Sequence, residues 1–495
     1  MKLDLGARAR HVFRALRHRD FRVFWLGQAV SVSGLWMQSM ALAWLVYRLT
    51  DSPLHLGLLA AARFGPSFVL SPLAGVVTDR VARRDLVLAT QGASLMLAAT
   101  LAALTLSGAA TVWQLLALAT VQGIVDTLDL PARQTLQVDL VGLDDLQSAV
   151  ALNSSAFNAA RMVGPAIAGV VVAAWGEGVC FAINAASYAA VLTALLAIRL
   201  PRAAPAPRER FAVALRGGVG FAWRTPAVRA ALGAVAVTSV VGLSFSTLLP
   251  VFARDVLHSG ARGYGLLLAG AGLGSVIGAL GAAARRGGGS QLVILAAQGT
   301  LGVGLVALAA SRRLSVAALC LVVVGLAVAT QLATTNALLQ TGSPPELRGR
   351  VMSLYMWLFV GASPLGGLAA GWLAGRVGAP ATAALAGTGC IVSALLTAGA
   401  AGSDDGEDRD HLLRFLKLRA EGRGSRGRAQ AGIRRRSPAG PGLGRRLRRA
   451  RRRCARLFEV RDRSVPGAGR GRRAAARPLA GALNGASGGA AAPVQ

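Results

Sequence analysis

The sequence predicts an all-α polytopic membrane protein with twelve spanning helices, and three observations carry that prediction. The composition is 54% apolar and only 15% charged, with a mean hydropathy of +0.51, whereas a soluble domain carries about 25% charged residues. The charges are segregated, and residues 86–125 contain none at all. A helix needs about 20 apolar residues to cross a hydrocarbon layer of about 30 Å, and apolar runs of that length recur along the chain. Lipid offers no partner for backbone N–H and C=O groups, so each crossing must close its own hydrogen bonds as a helix.

Apolar runs read against Gly, Pro and charge breakers place six spans near 22–48, 54–78, 86–107, 112–130, 149–175 and 178–199. Six more fall near 229–254, 263–284, 291–310, 315–338, 351–375 and 379–401. The connections alternate in charge. One set holds Arg80, Arg83 and Arg84, then Arg133, the run from Arg199 to Arg229, Arg285 and Arg286, and Arg348 and Arg350. The other holds little: Arg48, Glu177, Arg254 with Asp255, Arg262, Arg312, Arg313 and Arg376. The excess of basic residues on the first set predicts that it is cytoplasmic, with both termini on the same side of the cell membrane.

Composition divides the chain further. A basic amphipathic arm over 1–21, unlike a cleavable signal sequence, precedes a first six-helix bundle over 22–199. A Pro-rich linker over 200–228 leads to a second bundle over 229–401. The halves echo each other: "QGASLML" (91–97) answers "QGTLGVG" (298–304), and "DLQSAV" (145–150) answers "ELRGRV" (346–351). Such echoes predict two pseudo-symmetric bundles around a cavity. Residues 402–495 differ, with 24 Lys/Arg against 8 Asp/Glu. That composition cannot bury a core, and the tail, like the arm, suits anionic lipid; no specific nucleic-acid partner is expected.

Several function classes drop out. No G-x-x-x-x-G-K-[ST] phosphate cradle is present. Cys180, Cys320, Cys390 and Cys454 make no CxxC pair, and three of them sit in apolar runs as small packing residues. No ligand cluster for a metal, no cofactor motif and no enzymatic constellation emerges.

The segment "GVVTDRVARR" (75–84) concentrates charge in a hinge between spans two and three. Asp79 stands at the negative end of its helix dipole, where a carboxylate needs a partner. The N-terminus of another helix, or Arg350, would supply one, and the contact would be a latch between the bundles. Arg80, Arg83 and Arg84 suit the inner leaflet and their helix end. With Gly75 opening it, the segment resembles the G-x-x-x-D-R-x-x-R-R signature of the major facilitator superfamily, Ala82 replacing a frequent Gly. "GALGAAARRG" (278–287) keeps Arg285 and Arg286 at the equivalent place without the acid. Together with "RDFRVFWLGQAVSVSG" (19–34), "DLPARQTLQVDLV" (129–141), "NAARMVGPAIAG" (158–169) and "ELRGRVMSLYMW" (346–357), it resembles the branch containing macrolide efflux proteins and the enterobactin exporter. The likeness covers residues 18–401 and implies the major facilitator fold, alternating access, and small-molecule efflux against protons.

Within the fifth span, Gly164, Pro165 and Gly169 resemble the G-P-x-x-G-G antiporter signature, with Ala168 in place of one Gly. Physically they permit close helix approach, and tight packing alone would also explain them. Arg63 and Arg161 lie mid-span, where an arginine costs about 2.5–3.5 kcal/mol. Each therefore needs an aqueous cavity or a partner: a network with Asn153, Asn158 or backbone carbonyls, or an anionic or carbonyl-rich substrate. Asp126, nearer apolar surroundings than Asp129, is the better-placed proton carrier. Gln28 and Trp36 in the first span, with Tyr355 and Trp357 in the eleventh, suit a roomy site for amphipathic molecules or interfacial anchoring. The sequence thus predicts a proton-coupled exporter of drug-like, macrolide-like or siderophore-like compounds. A metabolite importer, or a membrane scaffold or sensor acting through the basic tail, are the rival readings.

Overall fold

The computed structural model describes residues 13–198, 220–285 and 290–398, without the side chains of 71–80 and of residue 346. The tail over 402–495, residues 199–219 of the linker region and residues 1–12 of the arm therefore lie outside the described residues, as do the side chains of Gly75, Asp79 and Arg80. Among the described residues the chain is helical and has no strand.

Among the described residues, twelve helices are long and apolar enough to cross a membrane. The first six are α1 (Arg19–Thr50), α2 (Pro53–Arg80), α3 (Arg83–Leu106), α4 (Val112–Val141), α5 (Leu146–Trp175) and α6 (Glu177–Ala197). The second six are α7 (Pro226–Val256), α8 (Gly260–Ala284), α9 (Gln291–Ala310), α10 (Leu314–Gly342), α11 (Leu347–Val377) and α12 (Ala379–Ala398). Helix α4 runs well past its expected end near 130. The charges that suggested a stop, Asp129 and Arg133, pair with each other along the helix at 2.5 Å. Pro131 is absorbed within the helix, where the Thr135 hydroxyl donates to the carbonyls of Pro131 and Ala132 at 3.1 and 2.9 Å. Helix α7 is irregular, with two π turns, Thr238–Gly242 and Phe252–Val256, on either side of a turn and Pro250, and α11 carries one, Trp357–Gly361.

Within the first half α1 packs on α5 and α6, α2 on α4, and α3 on α4 and α6; within the second, α8 and α9 both pack on α10. Two long contacts join the halves, α5 against α8 and α2 against α11. Each pairs the second helix of one half with the fifth of the other, so the seam obeys the pseudo-twofold relation that the sequence echoes suggested.

The ends of the seam differ. At the end opposite the arginine-rich connections, one apolar cluster runs through both halves and includes Leu45, Leu115 and Phe181 with Leu249, Phe252 and Leu321. At the arginine-rich end the buried apolar residues, among those described, form two clusters. Phe21, Leu136 and Ile198 belong to one, Val228, Leu339 and Tyr355 to the other. The far end is sealed, and among the described residues the core at the basic end is divided. Outward-facing apolar side chains such as Met96, Leu280, Leu319 and Leu396 are more than half exposed, as a lipid contact requires. Trp113 and Trp175 at the far end and Trp223 at the basic end are exposed as interfacial anchors.

The arm meets the bundle at Asp145, just before α5. Arg14 Nε lies 3.2 Å and His18 Nε2 2.9 Å from its carboxylate, and the Ala15 amide donates to Ser148 Oγ at 3.0 Å. The His18 hydrogen bond, aided by the Arg14 charge, holds the Asp145 carboxyl below its usual range. A lowered folded value means that the contact stabilises the arm at pH above the free carboxylate range of about 4 and is lost as pH falls through the lower folded value. A spin label at exposed Phe13 should therefore be immobile at neutral pH and gain mobility only in strong acid. In Asp145→Asn it should be mobile throughout; an immobile label in that variant would contradict the clamp.

Candidate functional site

The mid-span charges fall into distinct arrangements. Arg63 of α2 and Asp126 of α4 form an ion pair with side chains 17% and 36% exposed. Gln122, one turn back, donates to Asp126 Oδ1 at 2.8 Å and to Ser94 Oγ of α3 at 3.0 Å. The backbones meet here because residue 123 is glycine: a Cβ on Gly123 would lie 2.3 Å from the Arg63 carbonyl oxygen. Asp126 thus keeps an open edge and, contrary to the sequence expectation, is not more apolar-surrounded than Asp129. Asp129 has no such edge. Its side chain is 3% exposed, takes the Arg133 Nε at 2.5 Å, and accepts from Thr90 Oγ1 at 2.7 Å and Gln91 Nε2 at 2.9 Å. Two hydrogen-bond donors and an ion pair on one buried carboxylate make it a tie between α3 and α4.

Arg161 lies halfway along α5, half-buried. Its guanidinium stands 5.7 Å from the Trp36 ring of α1, and Trp36 meets Phe157 edge-on at 5.6 Å. The network considered for it does not form. Asn158 donates to Ser154 of its own helix at 2.8 Å, and Asn153 Nδ2 is buried without a partner. Gln28 is 8% exposed with its Oε1 unpartnered. In the second half Tyr355 is 5% exposed and stacks on Phe359 in the α7–α11 core. Trp357 instead stacks on Phe68 of α2 at 5.0 Å, across the seam. An apolar recess of about 600 Å³ between α1 and α6, lined by Ala29, Val30, Met37 and Ile183 among others, borders none of the charged candidates.

The small residues of α5 divide their contacts between two partners. A Cβ on Gly164 would lie 2.8 Å from the Trp36 Cβ, inside the first half. On Gly169 it would lie 2.8 Å from the Ala261 carbonyl oxygen of α8, across the seam. Pro165 is buried beside that crossing, its carbonyl against Gly265. The motif therefore sets both the α1–α5 distance and the closed seam.

Of the hinge arginines, Arg83 pairs with Asp139 of α4 at 2.7 Å. Arg84 caps α6, donating to the Leu195 carbonyl from Nη2 at 3.1 Å, a cation at the negative helix end. Arg350 is half-buried in the first turns of α11.

Sequence reading passed over a second polar cluster, at the sealed end. The Tyr47 hydroxyl of α1 donates to Asp255 of α7, and Arg254 donates to Asp51 just past α1. Arg254 also stands 5.6 Å from the Tyr47 ring, and Trp44 stacks on Tyr264 of α8 at 6.1 Å. Arg48 holds Glu177 with two bonds, at 2.8 and 3.2 Å, within the first half. The available signal was the adjacent Arg254 and Asp255 at an end that carries few charges.

Two six-helix halves, related by a pseudo-twofold and joined by a seam sealed at one end, define a secondary transporter of the major facilitator type. The chain belongs to the transmembrane secretion effector family, which it matches over residues 11–411. It is 28% identical over 354 residues to the multidrug efflux pump Tap of Mycolicibacterium fortuitum, covering 69% of this chain and 86% of that one. The enterobactin exporter EntS of Salmonella choleraesuis is 27% identical over 397 residues, covering 77% and 91%. The staphyloferrin A transporter of Staphylococcus aureus is 27% identical over 250 residues, covering 50% and 62%. Among solved structures, the nucleoside transporter NupG superposes with a TM-score of 0.61 at 12% identity, covering 77% of this chain and 98% of that one, a likeness of fold. The protein is thus a multi-pass transporter of the cell membrane and not an enzyme.

Proposed function

We propose that the chain is a proton-driven exporter of small amphipathic molecules, working by alternating access with the arginine-rich end in the cytoplasm. The observation that carries the coupling is the contrast between the two carboxylates of α4. Asp129 is saturated by donors, whereas Asp126 has an exposed edge and a cationic partner on another helix. Protonating Asp126 would cancel its attraction for Arg63 and let α2 move against α4; loss of the proton would restore the pair. Efflux as the direction is supported by the relatives named as an efflux pump and an exporter.

In this reading the sealed end is the outer gate, and Gly164, Pro165 and Gly169 let it close. The cargo lies near Gln28, Trp36 and Arg161 of the first half, with Trp357 across the seam. Tyr355, packed in the core, shapes that wall rather than touching cargo. At the cytoplasmic end Gly75, Asp79 and Arg80 with Arg350 would form the opposing latch, while Arg83 and Arg84 brace α3 against α4 and α6. Anionic lipid would hold the basic arm and tail.

The test is a survey of toxic compounds in cells expressing the full chain, with and without an uncoupler. Lower accumulation of amphipathic compounds, restored by the uncoupler, is the expected result. Higher accumulation would favour an importer, and no change for any compound would favour a scaffold.

A further inference from the structure

The surface where α1 meets α5 carries an unusual surplus of hydrogen-bond donors. The two helices run parallel, and Gly164 sets their register by its contact with Trp36. Eleven residues back on each helix, about three turns, come Trp25 and Asn153, which helical periodicity puts on the same faces as Trp36 and Gly164. The Nε1 atoms of Trp25 and Trp36 and the Nδ2 atom of Asn153 are all buried without an acceptor. Arg161, between these levels, makes no hydrogen bond or ion pair with any described residue, and its neighbour is the Trp36 ring. Each of these groups can only give a proton to a bond here. Buried donors without acceptors are rare and costly, and a lone guanidinium at mid-membrane is costlier still. Gln28 Oε1 is the one unpartnered acceptor on the same stretch of α1, suited to a hydroxyl.

Resting on the transport reading above, we propose that this donor surface is the cargo's docking point, that Arg161 binds an anionic group there, and that the transported class is therefore aromatic or amphipathic anions. The carboxylate or other oxyanion takes the guanidinium and the Trp36 N–H. The aromatic part of the cargo lies against Phe157, which is 45% exposed. Trp25 and Asn153, nearer the arginine-rich end, form an entry step with the same preference for acceptors.

The test uses the purified full chain in detergent and three fluorescent probes that share the dansyl ring: dansylglycine, its neutral amide and the cationic, longer-armed dansylcadaverine. Binding is read by energy transfer from tryptophan. Dansylglycine should bind about tenfold more tightly than the amide, the value of a charge-assisted hydrogen bond, and the cation weakest. Arg161→Gln should erase the preference by weakening dansylglycine far more than the amide, and Arg161→Lys should keep part of it. Should Arg161→Gln fail to fold, Trp36→Phe, which removes the indole N–H together with part of the ring, should weaken dansylglycine more than the amide, read there from the dansyl emission itself. Equal binding of acid and amide by the native chain, or a preference that survives Arg161→Gln, would overturn the proposal. Because binding in detergent needs neither gradient nor direction, a chain that prefers the anion but ignores an uncoupler would sink the exporter reading alone.

Discussion

Asp126→Asn is expected to abolish uphill transport in protein that still inserts and folds, with some loss of stability because Arg63 loses its partner. The amide keeps the shape and can still accept a bond from Gln122, but it cannot take and release a proton. Reconstituted protein should lose at least tenfold in gradient-driven accumulation yet retain cargo-for-cargo exchange, which needs no net proton movement. Asp129→Asn should do the reverse. Removing one charge of the buried pair leaves Arg133 uncompensated and costs about 3 kcal/mol, read as an earlier denaturation midpoint, with the coupling ratio of the surviving protein unchanged. Uphill transport by Asp126→Asn at the native rate would show that the proton travels elsewhere.

The second large effect is expected at the sealed end. Tyr47 is 3% exposed, so its bond to Asp255 is the stronger part of the clasp; Arg254 and Asp51, with side chains 38% and 70% exposed, add less. Combining Tyr47→Phe with Arg254→Gln should remove about 1–2 kcal/mol of closing energy, shifting the balance between sealed and open states about tenfold. Spin labels at Ser107 and Arg313, exposed at that end in opposite halves, would report it on a background without the four native cysteines. A longer, broader distance distribution in the double variant is the expected result. An unchanged distribution would mean that the apolar seal of Leu45, Phe181, Leu249 and Phe252 closes the gate unaided.

The helices were legible because lipid makes hydrophobic length nearly sufficient. Where the reading faltered, at the end of α4, the cause was local compensation: Asp129 and Arg133 looked like a boundary as separate charges and behave as a neutral pair inside the helix. The site was legible in parts. Arg63, Asp126 and Arg161 stood out as charges in apolar runs, and Gly164 and Gly169 as small residues in a packed span. That Arg63 meets Asp126, while Arg161 meets only an aromatic ring, depends on contacts between distant segments that spacing does not encode. Nor does spacing encode the clasp, whose members Tyr47 and Asp255 are 208 residues apart. Tyr355 read as a cavity residue and packs in the core, because an aromatic ring on a spanning helix suits either surface.

The most direct measurement of proton-driven export uses inverted membrane vesicles containing the full chain, energised to an acid lumen, with a compound from the toxicity survey added outside. The expected result is uptake into the lumen accompanied by its alkalinisation, both collapsing on addition of an uncoupler and both absent with Asp126→Asn. Uptake that persists after the gradient is dissipated, or compound that runs outward from preloaded vesicles down the proton gradient, would contradict it.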